Sequence, residues 1–431
     1  RYTLHDDNKK TYAKYRFENL FEGLTEPGDW YIDRAAGTLY YLPMDGETIE
    51  NTEVIAPVCE QAFQIENCCD FTIDNVTVRH FDWSLRGEPL CRQGCPQAGG
   101  AVTYVRCRRC AFTNSVIEHV GYYAIDVREG CSVMKLCGNV LRDMGAGGVK
   151  INGSDADGAL EDRTHHVRVC DNLITEGGRQ FLAGIGVISM HAHHIHIAHN
   201  LIHDLYYSGV SCGWVWGYAE SVSHDNIIEY NHIYDIGHSV LSDMGGIYTL
   251  GVQPGTVIRY NLVHDIEKAN YGGWAIYPDE GSSYMLIENN IGYHTASACF
   301  HQHYGRENIV RNNIWAFGQN GVIACTRREG HVGFTLERNL ILSDNGRNPF
   351  DGYGMTGIKS DMNVYWDTQK KSADMEALHK QGYDLFSIAA DPLLRDPEHG
   401  DFTLDPDSPA LKMGFKPIDM TGVGIREGRG K

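Results

Sequence analysis

An asparagine that begins a short apolar run recurs along most of the chain, and this repeat constrains the fold more than any other feature. The repeats begin at Asn75, Asn114, Asn139, Asn172, Asn200, Asn231, Asn261, Asn290, Asn313, Asn339 and Asn363. Their spacing, 23 to 39 residues, suits one small unit that cannot bury its apolar residues alone. Successive units must therefore stack on one another.

Each repeat predicts three short strands: one that ends near the asparagine, one that follows it, and a third after a polar or glycine turn. The third strand is represented by GVSC (209–212), GIYTL (246–250) and GVIAC (321–325). Asparagine tolerates the left-handed conformation of a sharp corner, and stacked asparagines can hydrogen-bond along the stack. The pattern predicts an all-β, right-handed parallel β-helix, a solenoid whose coils share one apolar interior. A β-propeller is the alternative, but its blades need roughly 40 to 50 residues each.

The two ends of the chain lack the repeat. Residues 1–55 contain EPGDWYIDRAAGTLYYLP, whose glycine and proline turns predict a small antiparallel unit. Residues 371–431 contain a helical stretch, SADMEALHKQGY, and then an extended segment rich in proline and aspartate. We therefore predict a flanking unit at 1–55, a catalytic β-helix at 56–370 and a C-terminal cap at 371–431.

The charge of the chain restricts its partners. The formal net charge is -19, which repels nucleic acid and anionic membrane surfaces. No window approaches the roughly 18 apolar residues that would span a bilayer. A neutral or locally attracted substrate is expected, and the sequence leaves the oligomeric state open.

Cysteine is frequent in the first part of the chain, where ten of the 13 cysteines lie at or before Cys170. Cys91, Cys95, Cys107 and Cys110 have a spacing that fits a zinc site, disulfides or buried thiols. The segment between the two close pairs lacks a compact zinc knuckle, so thiols buried between coils are favoured. We predict no cofactor, with structural zinc or calcium as the alternative.

Alignment of the third strands of successive coils predicts a groove that is acidic, aromatic and rich in histidine. Neighbouring coils lie about 4.8 Å apart, so residues distant in sequence can line one face. The groove residues, in chain order, are His191, His193, His194, Trp214, Trp216, Asp243, Trp274, Asp279, Glu280, His301, His303 and Tyr304. Alternating histidines could share a metal ion, but groove histidines more often bind hydroxyls or orient carboxylates, and we predict no metal here.

Paired acids and aromatic rings are the two elements that glycoside hydrolysis needs. Asp243 and Asp279 are the predicted catalytic pair, with Glu280 as a further candidate, although an aspartate at a turn often bonds its own backbone. The glycines around Trp214 and Trp216 predict that both rings lie on one exposed face. His191, His301, His303, Tyr304 and the three tryptophans are the predicted substrate-binding residues.

Three central segments, DMGGIYTLG, YGGWAIYPDEGSS and FHQHYGRENIVRNNIWA, resemble the bacterial right-handed β-helix glycosidases of glycoside hydrolase family 141, with family 120 as a second relative. The resemblance implies hydrolysis of fucosides or xylosides, with Asp243 and Asp279 as the acids and Glu280 next to them. Straight strands would hold these two acids beyond the roughly 5 to 10 Å that glycosidases use. The chain must fold back at Gly245 and Gly246, or Asp243 must pair with Glu267.

The predicted function is hydrolysis of a plant-type polysaccharide or oligosaccharide. The alternatives are a lyase acting on uronic-acid polymers, for which Arg306, Arg327 and Arg328 are candidates, and a carbohydrate-binding β-helix without activity. A polysaccharide substrate implies a secreted or periplasmic protein. The many cysteines of the first half would suit the reducing cytoplasm better, and a cytoplasmic protein is the alternative.

Overall fold

The computed structural model describes residues 17–84, 92–327, 329–352, 357–372 and 374–426. The chain forms two compact units, residues 1–56 and 57–431. In the first unit, a 3-10 turn at Phe21–Gly23 precedes an antiparallel pair of strands, Trp30–Asp33 and Thr38–Tyr41. The Asp33 carboxylate closes the turn by accepting from the backbone N–H groups of Ala35 and Ala36. The antiparallel unit expected from the sequence is confirmed.

The second unit is a right-handed coil whose strands form three parallel sheets, numbered in the order in which each coil visits them. Sheet 1 contains Phe63–Glu66, Gly100–Val105, Tyr123–Val127, Val149–Asn152, Val187–Met190, Val210–Gly213, Met244–Thr249, Gly273–Pro278, Phe300–Gln302, Ile323–Cys325 and Phe350–Gly352. Sheet 2 contains Thr72–Asp74, Ala111–Thr113, Ser132–Cys137, Thr164–Cys170, Ala192–His193, His196–Ala198, Ile227–Glu229, Val257–Arg259, Leu286–Glu288, Asn308–Arg311, Phe334–Glu337 and Ile358–Asp361. Sheet 3 contains Thr77–Phe81, Val116–Val120, Val140–Met144, Leu173–Thr175, Leu201–Leu205, His232–Ile236, Leu262–Ile266, Ile291–Thr295, Ile314–Ala316, Leu340–Ser343, Val364–Asp367 and Ile388–Ala389. The predicted parallel β-helix is confirmed.

The interior of the coil is a continuous stack of apolar side chains. Ile202, Ile233 and Val263 occupy the same position in three successive coils and are fully buried. Burial of each such side chain is worth about 1.5–3 kcal/mol, but only when the next coil covers it. The interior therefore requires the neighbouring coils, as the repeat implies.

Few elements lie outside the three sheets. They are the 3-10 turns Leu160–Asp162 and Pro397–His399, the helices Glu376–Lys380 and Pro409–Lys412, and the antiparallel strands Leu394–Asp396 and Asp401–Leu404. The first helix places Leu378 against the interior of the coil and covers its end. No helix in the described part of the chain is long and apolar enough to cross a membrane.

The last described segment runs back along the coil. Phe402 and Phe415 pack with Tyr293 on the outer face of sheet 3. Farther on, the Arg426 guanidinium pairs with the buried Asp171 carboxylate, with an Nη2–Oδ2 distance of 2.5 Å. The C-terminal segment thus covers a side of the coil as well as its end.

A ladder of asparagines occupies the corner between sheets 2 and 3. Its members are Asn139, Asn172, Asn200, Asn231, Asn261, Asn290, Asn313, Asn339 and Asn363, all buried. Each of the first eight side-chain amides donates to the side-chain oxygen of the next asparagine, over 2.9 to 3.2 Å. The predicted stacking of asparagines is confirmed for these nine.

The predicted left-handed conformation is wrong for the ladder asparagines. The residue before each of them adopts it instead, as Tyr260 does with φ 55° before Asn261. This shift leaves the amide of each ladder asparagine pointing into the stack, where it bonds its neighbours. Asn75 and Asn114, at φ 56° and 50°, do have the predicted conformation, but they stand outside the ladder.

The cysteines of the possible zinc group lie apart. Cys107 and Cys110 point into the interior of the coil, whereas Cys95 is buried on the outer face of sheet 1, with its thiol on the carbonyl of Phe181. These three cannot surround one ion, so the zinc alternative is wrong for them and the predicted buried thiols are confirmed. Cys91 lies outside the described residues.

Candidate active site

Two neighbouring strands of sheet 1 present aromatic rings on the outer face of the coil. Ala275 and Ile276 both point inward, and their N–H groups donate to the same carbonyl, that of Cys299, over 2.9 and 3.1 Å. This arrangement is that of a β-bulge, which interrupts the usual alternation of side chains. Trp274 and Tyr277 therefore share the outer face, with their ring centroids 4.2 Å apart.

Asp243 and Asp279 meet on this face. Asp279 follows the strand Gly273–Pro278 and is buried, and its Oδ2 accepts a hydrogen bond of 2.6 Å from the Tyr248 hydroxyl. Oδ1 of Asp243 accepts one of 3.2 Å from the Tyr277 hydroxyl. The Tyr277 hydroxyl also lowers the pKa of Asp279, so it lies near both carboxyl groups.

The strands are not straight, which answers the difficulty raised by the sequence. The bulge at Ala275 shortens its strand, and the long Tyr277 side chain spans the remaining gap. Asp243 itself takes the left-handed conformation, with φ 63°, whereas Gly245 and Gly246 do not. The left-handed residue thus lies two or three residues earlier than the predicted fold-back. Glu267, the alternative partner, accepts instead from the Ser239 hydroxyl.

The two carboxyl groups influence each other's protonation. Burial raises the pKa of Asp243, and hydrogen bonds from Tyr277 and Tyr271 oppose that rise. Burial also raises the pKa of Asp279, against hydrogen bonds from Tyr248 and Tyr277, and the charge of Asp243 raises it further. A half-buried and a buried carboxyl that act on each other disfavour double ionisation, so the pair tends to keep one proton.

A network of hydroxyl and amide groups holds the tyrosines in place. The Tyr207 hydroxyl donates to the backbone carbonyl of Asp243 over 2.7 Å. Nε2 of Gln93 donates to the hydroxyls of Tyr207 and Tyr248, over 3.1 and 3.2 Å. The sequence analysis missed Gln93 and these tyrosines. A signal existed for Tyr248 and Tyr277, because both are aromatic residues at the same position in successive strands of sheet 1.

His301 and His303 both contact Thr326, another residue that the sequence did not single out. His301 Nε2 and His303 Nδ1 each lie 2.8 Å from the Thr326 hydroxyl. The His301 ring is buried and stacks on Tyr277 with centroids 4.6 Å apart. Direct binding of sugar by His301 is therefore inconsistent with its position, because the Tyr277 and Trp274 rings cover it. His303 is only partly buried, and its proximity lowers the pKa of both acids.

The remaining predicted residues divide between the surface and the interior. Trp216 is 50% exposed, as expected, but Trp214 is buried because its indole N–H bonds Ser211 over 2.9 Å within the apolar cluster of sheet 1. Tyr304 is also buried, and its hydroxyl donates to the Glu280 carboxylate over 2.9 Å. Glu280 thus faces Tyr304, although its charge still raises the pKa of Asp243.

The three histidines of SMHAHHIH that were predicted for the groove do not join the acids. Asp155 and Arg163 are the charged groups that act on the pKa of His191, which burial lowers. His193 and His194 belong to sheet 2, where the chain has already turned away from the outer face of sheet 1. Their predicted place in the groove is wrong, because two side chains separated by a corner of the coil cannot line the same face.

Comparison with known proteins agrees with the architecture. The family model described as "Right handed beta helix region" matches residues 61–280, more than half of the chain, and the chain belongs to this family. The protein YwoF of Bacillus subtilis (strain 168), described as uncharacterized, is 27% identical over 197 residues, which are 43% of this chain and 38% of YwoF.

Two solved structures superpose on this chain. One described as "Glycoside hydrolase" superposes with a TM-score of 0.56 at 23% identity, covering 71% of this chain and 57% of that one. The complex of XylC with xylose superposes with a TM-score of 0.42 at 13% identity, covering 75% of this chain and 53% of that one. The chain thus spans less than two thirds of each of these proteins, and the likeness concerns the fold alone.

Proposed function

We propose that this chain is a glycoside hydrolase that cleaves a fucoside-type or xyloside-type bond in a plant-type polysaccharide or oligosaccharide. The observation that carries the proposal is the pair of carboxyl groups on either side of the Tyr277 hydroxyl, both with a raised pKa. Glycoside hydrolysis needs one carboxylic acid that protonates the leaving oxygen and one carboxylate that acts as base or nucleophile. One proton shared by Asp243 and Asp279 supplies both forms.

The environments of the two acids support a division of roles between them. Asp279 is the more deeply buried acid and experiences the charge of Asp243, so it keeps the proton and acts as the general acid. Asp243 is ionised and acts as the base or nucleophile. Hydroxyl donors from Tyr271 and Tyr277 stabilise its charge.

Exposed rings at the edge of the pair supply a surface for the sugar. Tyr271 is 58% exposed and Trp216 50% exposed, and aromatic faces stack on the apolar faces of sugars. His303 offers an imidazole nitrogen for a sugar hydroxyl. The sugar is not contacted by three of the predicted residues. Trp274 and the buried His301 pack on Tyr277 and hold its ring in position, and Tyr304 holds Glu280.

A lyase would need an arginine or lysine directed at the carboxylate of a uronic acid. The two candidate arginines within the described residues are engaged elsewhere: Arg327 lies 4.0 Å above the Tyr304 ring and Arg306 lies 4.3 Å above the Tyr218 ring. Arg328 lies outside the described residues. The paired acids therefore favour hydrolysis over elimination.

One assay separates these functions. The chain is incubated with aryl fucosides, aryl xylosides and plant polysaccharides, and reducing sugar is measured beside the ultraviolet absorbance of unsaturated products. We expect reducing sugar without unsaturated products, and its loss in Asp243→Asn and Asp279→Asn. Unsaturated products would identify a lyase. Binding of polysaccharide without either product would identify a carbohydrate-binding protein.

A further inference from the structure

Two adjacent rows of histidines lie at the corner that leads into sheet 2, apart from the acids on sheet 1. One row contains His165, His193 and His224, and the other contains His166, His194 and Asp225. Rings of successive coils stack within each row, with centroids 4.4 to 5.1 Å apart. Three coils thus place an imidazole at the first position, and two of them place one at the second.

The local backbone explains why neighbouring histidines meet. In a regular strand, successive side chains point to opposite faces. His194 has the left-handed conformation, with φ 53°, and Asp225, the next residue of its row, has φ 50°. This conformation breaks the alternation, so the side chains of His193 and His194 leave the coil on the same side. Nδ1 of one then lies 2.8 Å from Nδ1 of the other.

The nitrogen atoms have the spacing of a metal site. One nitrogen from each of His193, His194 and His224 lies within 4.8 Å of the other two. Nitrogens bound to one tetrahedral Zn²⁺ lie roughly 3.3 Å apart, because each Zn–N distance is about 2.0–2.1 Å. Side-chain rotation alone therefore brings the three imidazoles to one ion.

Asp225 strengthens this arrangement. Its Oδ2 lies 2.7 Å from Nδ1 of His224, so this nitrogen carries the proton and Nε2 keeps a free lone pair. Histidines that bind metals commonly donate their second N–H to a carboxylate in this way. The same carboxylate oxygen lies 4.0 Å from Nε2 of His194.

We propose that His193, His194 and His224 bind one transition-metal ion of the zinc, copper or nickel class. Imidazole is a ligand that these ions favour, whereas calcium and magnesium require more oxygen atoms than Asp225 alone supplies. The ligands come from two successive coils, so the ion ties these coils together and stabilises the solenoid. The site is independent of the glycosidase pair.

Zinc chloride is the probe for this site. The whole chain is treated with a chelator, dialysed, and titrated with ZnCl₂ in a calorimeter, while thermal unfolding is followed with ZnCl₂ or CaCl₂. We expect one Zn²⁺ per chain and a higher Tm with zinc but not with calcium, because a ligand of the folded state stabilises it.

Variants identify the ligands. We expect His194→Gln and His224→Gln each to weaken zinc binding at least tenfold, and Asp225→Asn to weaken it by roughly 10- to 100-fold, as for carboxylates behind metal-binding histidines. His203→Gln, on sheet 3, is the matched control and should bind zinc like the original chain. Circular dichroism without metal checks that each variant is folded, and His194→Asn replaces His194→Gln if the latter is not.

Three results would overturn the proposal. They are absence of zinc binding by the original chain, unchanged affinity in folded variants of His194 and His224, and an equal loss in His203→Gln. A loss of zinc binding confined to His303→Gln would place the ion beside the acids instead. The titration needs no substrate, so its failure leaves the proposed hydrolysis unaffected.

Discussion

The asparagine corner between sheets 2 and 3 and the acid pair on sheet 1 are both buried and polar, but they differ in repetition. In the corner, each asparagine bonds copies of itself above and below. On sheet 1, the positions that flank Asp279 on the adjacent coils are occupied by Leu250 and His303. A repeated asparagine meets its hydrogen-bonding needs within the stack. The unrepeated carboxyl pair keeps hydrogen-bonding capacity, or a proton, for another molecule.

The difference separates the residues that hold the coil together from those that perform chemistry. A ladder asparagine has its donors and acceptors satisfied at neutral charge, so it stabilises the fold and has nothing to offer a substrate. The two acids bear a shifted pKa that costs stability, and active sites commonly accept that cost. Substitutions in the two regions should therefore affect different measurements.

The largest expected effect is on activity. Asp243→Asn and Asp279→Asn keep the shape of the site and remove its proton chemistry, so kcat/KM should fall by roughly two to four orders of magnitude. Tm should stay the same or rise, because a buried charge or a shared proton is removed. Retention of near-full activity by either variant would show that the catalytic pair is wrong.

Aryl glycosides of different leaving groups test the assigned roles. A general acid matters little when the leaving group departs readily without protonation. Asp279→Asn should therefore recover much of its activity on a dinitrophenyl glycoside, whereas Asp243→Asn should not. The opposite pattern would exchange the two roles.

The next effect is on stability. Asn261→Ala removes hydrogen bonds to Asn231, Asn290 and Ile228 and leaves their buried groups unpaired, so the free energy of unfolding should fall by about 3 kcal/mol. The exposed Asn320→Ala should change it by less than about 0.5 kcal/mol. Chemical denaturation measures both. Equal effects would show that the ladder contributes nothing beyond a surface amide.

A smaller effect on activity is expected from the Tyr277 hydroxyl, which donates to Asp243. The hydroxyl of Tyr277 lowers the pKa of Asp243, so Tyr277→Phe should raise that pKa and move the acidic limb of the kcat/KM profile to higher pH. A loss of activity of about tenfold at the optimum is expected from one missing hydrogen bond to a charged group. Tyr293→Phe, on sheet 3, should leave the limb in place. An unmoved limb in Tyr277→Phe would separate this hydroxyl from the titration of Asp243.

The repetition that governs stability is also what made the fold predictable. The recurrence of asparagine from Asn139 to Asn363 is visible in the sequence, and it predicted both the three-strand coil and the stacking of coils. The left-handed position was misassigned because glycine, histidine, tyrosine and arginine all occupy it, as at Gly138, Tyr260 and Arg338. No residue preference marks that position.

The site was less predictable because it depends on departures from the repeat. The sequence identified Asp243 and Asp279, but the bulge at Ala275 has no signature in a run such as GGWAIYP. Gln93 reaches Tyr248 from more than 150 residues away, and no periodic pattern relates them. His193 and His194 were misplaced because the position of the corner between sheets 1 and 2 is not visible in the sequence. That corner decides on which sheet a side chain lies.

The smallest expected effect concerns acid stability, and it arises where the repeat stacks ionisable rings. Burial lowers the pKa of His232 to about 4, and the nearby rings of His264 and His203 disfavour its charge further. A histidine with a lowered pKa binds more protons when the chain is unfolded. The contribution of the neutral histidine to stability is therefore complete above its usual pKa of about 6.5 and is lost as the pH falls towards 4.

His232→Phe keeps an aromatic ring beside Tyr234 and removes the titration. The free energy of unfolding should then decline by about 1 kcal/mol less between pH 6.5 and 5, after allowance for partial exposure. The exposed His399→Gln should give no such reduction, because Asp396 raises the pKa of His399. An unchanged slope in His232→Phe would mean that acid unfolding begins elsewhere than in the histidine and tyrosine stack of sheet 3.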